Sequence, residues 1–310
     1  MVSPRFAAPI HNVTARCFSS QTPTSIPSSA RYDELINAAG RIRDFVTVRR
    51  LLLERVSHGC FNTSKTFKFI SANISVLDDL LKNLAALDGD WFTKKHAHDA
   101  LVAQLANSHR TLEALRVAEI MATNRYGATT VTFHPIINAL AHRKETSAAW
   151  RVVEVMRACG IKPDPISYNY ILTAYCYTGD VASAAETVAK MEGEGMKPDT
   201  VTYDALVLGA CRAGKVEAAL AVMGRMVGEG MQPLSASHIH IVNEMVRCGY
   251  YAPAVEYVRI FAGKDEKLDS DNFGYLARKL RKVKRIEEAK SVVEEMVRRG
   301  LPAGGGLKDL

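Results

Sequence analysis

The densest group of charged side chains in this sequence is a run of cations near its carboxyl end. Six of the eight residues in this run are basic: Arg278, Lys279, Arg281, Lys282, Lys284 and Arg285. Ammonium and guanidinium groups at this density suit phosphate oxygens, which dominate the affinity of proteins for nucleic acids. A solvated helix surface is the alternative explanation, and four glutamates between positions 287 and 295 weaken the positive field. The run therefore predicts a weak phosphate-contacting patch.

The other reactive residues give little support to metal ligation or covalent catalysis. The pairs His96/His98 and His238/His240 are two residues apart, so on a helix their side chains diverge by about 200° and cannot bind one ion. The six cysteines contain no CxxC pair, which is typical of a reduced protein without a zinc site. No glycine-rich phosphate loop, Ser–His–Asp order or zinc-deaminase motif is present. We expect no enzyme, no cofactor, no metal and no small-molecule substrate.

Composition favours an anionic partner. The net charge is +7, with 40 basic and 33 acidic residues, and hydrophobic residues make up 47% of the chain. No apolar run approaches the ~20 residues that a membrane-spanning helix needs, so no membrane association is expected. The excess of cations is moderate, and it supports nucleic acid as the partner without deciding the question.

The elements that must position any functional side chain follow a repeat of 35 residues. From 95 to 304 this pattern recurs six times without insertion or deletion. Each unit contains two apolar quartets with steps of three, four and seven residues, the second about sixteen residues after the first. The unit from 165 to 199 shows both: Tyr168, Ile171, Leu172 and Tyr175, then Ala184, Thr187, Val188 and Met191. Each quartet forms one face of a helix.

Glycine and proline separate these helices. Gly179 and Gly214 lie between the two helices of their units, where the last residue often needs a left-handed backbone. Pro198 and Pro233 follow the second helix and prevent it from continuing. A fixed period of this size is typical of helical hairpins stacked in one direction, with a binding surface along the stack. The sequence predicts an all-α solenoid.

These units resemble the pentatricopeptide repeat family. The stretches 195–199 (GMKPD), 201–207 (VTYDALV) and 214–220 (GKVEAAL) are close to that family's repeat consensus. The period of 35 differs from the 34 of tetratricopeptide repeats. The resemblance implies a right-handed α-solenoid of helix-turn-helix repeats, of the plain class without a carboxyl-terminal catalytic or editing extension. The units within 130–234 carry it most strongly.

Four segments are expected along the chain. Residues 1–28 are predicted to be an organellar transit peptide or a disordered tail, because the first 32 residues contain no acid, three arginines and nine Ser or Thr. We favour the mitochondrion, with the chloroplast as the alternative. Residues 29–94 are predicted to form two degenerate helical-hairpin repeats, 95–304 six 35-residue repeats, and 305–310 a carboxyl-terminal tail.

The resemblance also implies how a partner is bound. In this family the first helices line the concave face and bind single-stranded RNA, about one base per repeat. The base is read by the residue after the first-helix aromatic and by the residue after the closing proline. In the unit 165–199 these residues are Asn169 and Asp199, which is similar to the family's uracil-preferring combination. An amide offers both a donor and an acceptor to a base edge, although Asp199 could instead cap the next helix.

Other positions in the same register are expected to contribute less. His134 with Asp164, and Asp204 with Leu234, are uncommon combinations, and the alternative is that they no longer select bases. By resemblance, the side chains that sandwich the bases are Val131, Ile166 and Val201. The prediction is thus an organellar RNA-binding protein acting without catalysis in splicing, stabilisation or translation. The alternative is a structural adaptor that binds proteins, for example in an organellar ribosome. A protein partner or self-association would add selectivity.

Overall fold

The computed structural model describes residues 28–88, 90–124, 126–263 and 265–302, together with Leu307. Within these residues it contains fifteen α-helices, two short 3-10 helices and no strand. The predicted transit peptide and carboxyl-terminal tail lie outside the described residues, apart from Ser28 and Leu307.

The amino-terminal region contains three α-helices. Helices α1 (Ser29–Arg41) and α2 (Phe45–Ser57) form a hairpin. Two 3-10 helices, Lys68–Ser71 and Ile74–Val76, follow, and α3 (Leu77–Ala85) comes directly after them. The segment between α2 and α3 therefore has only 3-10 turns where the later units have a long first helix.

Twelve helices follow, and they form six hairpins of two helices each. Their bounds are α4 Trp91–Asn107, α5 Thr111–Thr123, α6 Thr130–His142, α7 Thr146–Ala158, α8 Pro165–Thr178, α9 Val181–Gly193, α10 Thr200–Arg212, α11 Val216–Gly228, α12 Ser235–Arg247, α13 Tyr251–Phe261, α14 Glu266–Lys282 and α15 Ile286–Arg298. Helices α4 and α14 begin about one turn earlier in the repeat than the other first helices.

The hairpins stack in one direction. Each first helix packs against the second helix of its own hairpin and against the first helix of the next, so that α4, α6, α8, α10, α12 and α14 form one continuous layer. From α5 to α15, the helices that pack together belong to the same hairpin or to adjacent ones. The all-α solenoid predicted from the period is confirmed.

The apolar quartets provide the core of this stack. Tyr168, Ile171 and Leu172 of α8 are at most 1% exposed, as are Ala184 and Met191 of α9. Complete burial of one large apolar side chain stabilises the fold by about 1.5–3 kcal/mol. Most of the equivalent positions in the other units are buried as well, and Leu206 and Phe261 are partly buried. These residues contribute to three core clusters along the stack.

Glycine allows a tight turn and a close helix contact in the middle of the array. Gly179 ends α8 with φ 73°, a left-handed conformation that favours glycine. Gly209 of α10 faces Cys176 of α8, and a Cβ at Gly209 would lie only 2.9 Å from the Cys176 sulfur. The backbones of α8 and α10 therefore approach each other closely, and this contact fixes the spacing of two neighbouring first helices.

The described residues contain neither a helix that could cross a membrane nor a side-chain group that could hold a metal ion. None of their helices combines the length and the apolar character that crossing a membrane requires. Their His, Cys, Asp and Glu side chains form no group of three that could hold a metal ion.

Candidate nucleic-acid interface

Asn169 and Asp199 meet at the junction of two repeats. Asp199 is the N-cap of α10, and its Oδ1 accepts a hydrogen bond from the backbone N–H of Thr202 at 2.8 Å. Asn169, on α8, donates from Nδ2 to the same Asp199 oxygen at 3.1 Å. The expected pair and the alternative helix cap are thus both present, because one carboxylate performs the two tasks.

Thr202 is a third member of this group. Its hydroxyl lies 2.8 Å from Asn169 Oδ1 and 2.8 Å from Asp199 Oδ1, and it accepts from the Asp199 N–H at 3.1 Å. Asn169 is 5% exposed, so its amide plane is held in one orientation. One N–H of Nδ2 and one lone pair of Oδ1 then remain for another partner. The amide therefore keeps one donor and one acceptor for a further partner.

His134 and Asp164 repeat this arrangement one unit earlier. The two side chains are joined by a 2.9 Å contact between His134 Nε2 and Asp164 Oδ1. Asp164 is the N-cap of α8 and accepts from the backbone N–H of Ser167 at 2.9 Å. Burial would raise the pKa of Asp164, but the hydrogen bonds from Ser167 and His134 outweigh it, and the pKa is lowered overall. The carboxylate stays ionised and orients the imidazole.

Asp204 does not pair with Leu234. Leu234 is the N-cap residue of α12 but offers no capping side chain, while Asp204 accepts a 2.6 Å hydrogen bond from the hydroxyl of Ser237. The same contact links Asp99 to Thr132 at 2.7 Å three units earlier. At these two positions the carboxylate is tied to the next helix by a hydroxyl.

An open groove lies across the surface of α6, α8 and the start of α10. We term it the central groove. Its cavity volume is about 730 Å³, and Asn169 and Asp199 lie in its wall. The lining also includes Asn138, Lys144, Tyr170, Thr173, Ala174 and Tyr177. Ile166 and Val201 stand at its edge and are 48% and 51% exposed. Val131 occupies the same register one repeat earlier and is also exposed. The three predicted sandwich residues are therefore large apolar side chains facing solvent.

A second groove, the basic groove, runs between α10, α12 and α14. Its volume is about 710 Å³, and its cations are Arg212, Arg247, Lys279 and Lys282. Arg212, Arg247 and Lys282 end three successive first helices at intervals of 35 residues. Arg247 is paired with the Glu244 carboxylate, and the hydrogen bonds from Arg247 lower the pKa of that carboxyl group.

The six cations of the run from Arg278 to Arg285 lie in different surroundings. Lys279 and Lys282 line the basic groove. Arg285, at the start of α15, forms an ion pair with Glu288 and lies over the ring of Tyr251. Lys284 has a left-handed backbone with φ 62° in the turn between the two helices. Arg278 and Arg281 are exposed on the last turns of α14.

Arg212 and Arg247 were missed by the sequence reasoning, which considered only local charge density. Their common register with Lys282 was the available signal, and it is visible once the units are aligned at 35 residues. Tyr177 occupies that register one unit before Arg212, and the Arg212 guanidinium lies 5.6 Å from its ring centre. These side chains form a row along the ends of the first helices.

The candidate histidine ligands do not come together. His98 and His238 are 1% and 2% exposed, and they replace core aromatic residues, as their register indicates. His98 stacks on Tyr126 at 4.6 Å. Burial lowers the pKa of His238 to about 4, and its Nδ1 lies 2.8 Å from the hydroxyl of Tyr257. Both rings belong to the core.

The first hairpin uses the register of Asn169 differently. Asp33 of α1 stands at this position, and its Oδ1 accepts from the guanidinium of Arg55 at 2.7 Å. Arg55 is fully buried, and the hydroxyls of Thr63 and Thr66 complete the shell of Asp33. Since a buried ion pair loses much when one partner is disturbed, this carboxylate serves the fold.

Comparison with known proteins identifies the repeats. The model of the pentatricopeptide repeat domain matches residues 127–178, 151–212 and 186–247, and a second model of this repeat matches 274–301. Among solved structures, the pentatricopeptide repeat protein PPR10 in complex with an 18-nucleotide psaJ RNA element superposes with a TM-score of 0.49. It is 18% identical, over 87% of this chain and 39% of that one.

Two relatives in Arabidopsis thaliana align over nearly the whole sequence. One mitochondrial pentatricopeptide repeat-containing protein is 60% identical over 297 residues, which are 94% of this chain and 84% of the relative. Another is 46% identical over 311 residues, with 97% and 88% covered. Both are mitochondrial, which confirms the localisation expected from the amino-terminal composition. On these alignments, the chain belongs to the pentatricopeptide repeat family.

Proposed function

We propose that this protein binds single-stranded RNA along its layer of first helices and acts, without catalysis, in mitochondrial RNA processing. The observation that carries the proposal is the Asn169 amide in the central groove. Asp199 and Thr202 hold it in one orientation, and the exposed side chains of Ile166 and Val201 flank it.

The chemistry of this position suits an unpaired base. A pyrimidine edge with an adjacent donor and acceptor can satisfy the remaining N–H and lone pair of Asn169. The aliphatic walls provided by Ile166 and Val201 cover the faces of the ring, as a base removed from a helical stack requires. His134 with Asp164 presents a second polar group to the same face of the array, one repeat away.

The basic groove supplies the charge that a polyanion needs. Arg212, Arg247 and Lys282 recur once per repeat, which matches a backbone that advances about one nucleotide per repeat. Arg247 also carries its ion pair with Glu244, so Arg212 and Lys282 are the stronger candidates for phosphate contact. Arg278, Lys279, Arg281, Lys284 and Arg285 extend the positive surface at this end.

The selectivity of such a surface is low. One well-oriented hydrogen-bonded pair discriminates between bases by about 1–3 kcal/mol, and Asp204 and Leu234 offer no comparable pair. The protein is therefore proposed to assist splicing, stabilisation or translation of RNA rather than to select one transcript alone. A protein partner or self-association would supply the remaining selectivity.

Crosslinking inside mitochondria tests this function. The wild-type protein and a variant with both Arg212→Ala and Lys282→Ala are crosslinked with ultraviolet light and purified under denaturing conditions, and the attached RNA is sequenced. We expect mitochondrial RNA with the wild type and a several-fold lower yield with the variant. A wild type that recovers no mitochondrial RNA would overturn the proposal and leave the structural adaptor.

A further inference from the structure

The first turn of α4 carries an exposed aromatic group that the six repeats do not share. Helix α6 begins at Thr130, and the equivalent residue one repeat earlier is Lys95. Helix α4 instead begins at Trp91, four residues before that position. The additional turn is a properly capped helix start, because Asp90 Oδ1 accepts from the Thr93 N–H at 2.7 Å. Trp91 and Phe92 lie on this turn and are 62% and 48% exposed.

His96 connects this group to the surface proposed to bind RNA. It precedes Asp99 by three residues, as Ile166 precedes Asn169, so it occupies the register of the exposed apolar side chains Val131, Ile166 and Val201. The ring centres of Phe92 and His96 are 4.1 Å apart, and those of Trp91 and Phe92 are 6.0 Å apart. The rings of Trp91, Phe92 and His96 therefore form an exposed cluster. It lies at the amino-terminal end of the register that contains Val131, Ile166 and Val201.

Exposed clusters of this kind are costly unless they serve a contact. Aromatic rings are the largest apolar side chains, and folded chains usually bury them. A nucleobase is the flat partner that suits them, since stacking on an aromatic ring holds any base regardless of its sequence. The aliphatic side chains at the same register in the next repeats offer weaker platforms.

The segment before α3 also carries cations that suit an RNA strand. It contains the 3-10 helix Lys68–Ser71, whose Ser71 hydroxyl accepts from Gln104 near the carboxyl end of α4. This segment has no acidic residue between Glu54 and Asp78, and its lysines Lys65 and Lys68 are exposed. A phosphate backbone that continued past the first 35-residue unit would meet cations there.

We propose that Phe92 and His96, with Trp91, form a stacking platform for one unpaired nucleobase beyond those read by the repeats. The inference rests on the proposed RNA-binding function and adds an anchoring contact at the amino-terminal end of the array. The platform is indifferent to base identity, so it raises affinity without altering sequence preference.

Truncation of Phe92 tests the platform. Binding of fluorescent single-stranded RNAs, shortened one nucleotide at a time from either end, is measured for the wild type and for Phe92→Ala. For RNAs long enough to reach the platform, we expect about a tenfold loss of affinity, equivalent to ~1.4 kcal/mol and within the range for stacking of one base. For RNAs too short by that nucleotide, the two proteins should bind equally. Phe92→Tyr should restore the affinity.

Two controls separate the possible failures. Leu112→Ala removes another exposed apolar side chain, from the second helix α5, and should bind like the wild type. A wild type that binds RNA at every length as Phe92→Ala does would overturn the platform but leave the proposed function intact. A wild type that binds no RNA overturns both.

Fluorescence provides an independent readout that a general loss of folding cannot imitate. The sequence has two tryptophans, Trp91 and Trp150, and Trp150→Phe leaves Trp91 as the only reporter. We expect RNA of sufficient length to quench Trp91 emission, and RNA one nucleotide too short to leave it unchanged. Absence of quenching by an RNA that binds tightly would contradict the platform.

Discussion

Replacing Asn169 with alanine should reduce preference for one base at one position of the RNA. The substitution removes the amide that donates to Asp199 at 3.1 Å and that lies 2.8 Å from the Thr202 hydroxyl. Asp199 and Thr202 keep their mutual hydrogen bonds, so the cap of α10 survives. The change therefore acts on the groove more than on the helix.

The expected magnitude follows from the groups that remain free in the wild type. One N–H and one lone pair of Asn169 are available to a base, so its loss should cost about 1.4 kcal/mol of discrimination, or tenfold, which is near the lower limit for a paired contact. The free energy of unfolding should fall by about 1–3 kcal/mol, because two hydrogen bonds are lost and one of them is made to a carboxylate.

Competition binding measures this effect. A library of single-stranded RNAs with one randomised position at a time is titrated against the wild type and Asn169→Ala, and urea unfolding records the stability of both. Asn83→Ala is the matched control, because Asn83 is a partly exposed asparagine on α3 whose Nδ2 donates to the Asp79 carbonyl. Equal loss for all sequences, or no loss, would refute the assigned register of the repeats.

Four other substitutions have expected outcomes of three kinds. Arg212→Ala and Lys282→Ala should each flatten the plot of log affinity against log salt concentration by about 0.7, the value for one phosphate of a single strand. Gly209→Ala should lower the free energy of unfolding by about 1–3 kcal/mol in urea titrations, because its Cβ would lie 2.9 Å from the Cys176 sulfur. Asp164→Asn should destabilise the protein at about pH 6, and this destabilisation should shrink progressively as the pH is lowered below about 3.9. The folded-state pKa of Asp164 is lowered, so its stabilisation is present above the unfolded value of about 3.9 and is lost as the pH falls.

The repeating part of the fold could be predicted because its signal is redundant. The same apolar steps occur in every unit, so a helix face that is ambiguous in one repeat is settled by the others. Three members of one quartet, Tyr168, Ile171 and Leu172, are buried as expected, and the fourth, Tyr175, is partly buried. Gly179 and Gly214 adopt the left-handed conformation that their position between helices indicates, with φ 73° in both cases.

The amino-terminal region was less predictable because its contacts are made by individual polar side chains. Asn37 of α1 donates to the Lys65 carbonyl at 2.9 Å and accepts from the Phe69 N–H at 2.7 Å. These bonds satisfy backbone groups of a segment that is too short for a long helix. Apolar spacing alone does not reveal such contacts, nor the burial of Arg55 against Asp33.

The candidate site was predictable in register but not in detail. The alignment at 35 residues places Asn169, Asp199 and Ile166 on one face. It does not show that Thr202 shares the Asn169 amide, because this contact joins neighbouring repeats across 33 residues. Likewise the Phe92–His96 contact depends on an additional turn of α4 that the repeat pattern does not contain.

Direct titration of single-stranded RNA at several salt concentrations tests the central claim most simply. If equivalent side chains on successive first helices form one binding surface, affinity should rise with RNA length over about six nucleotides, one per aligned repeat. It should also fall linearly on logarithmic axes as salt increases. Absence of binding at low salt, or affinity independent of RNA length, would contradict this account.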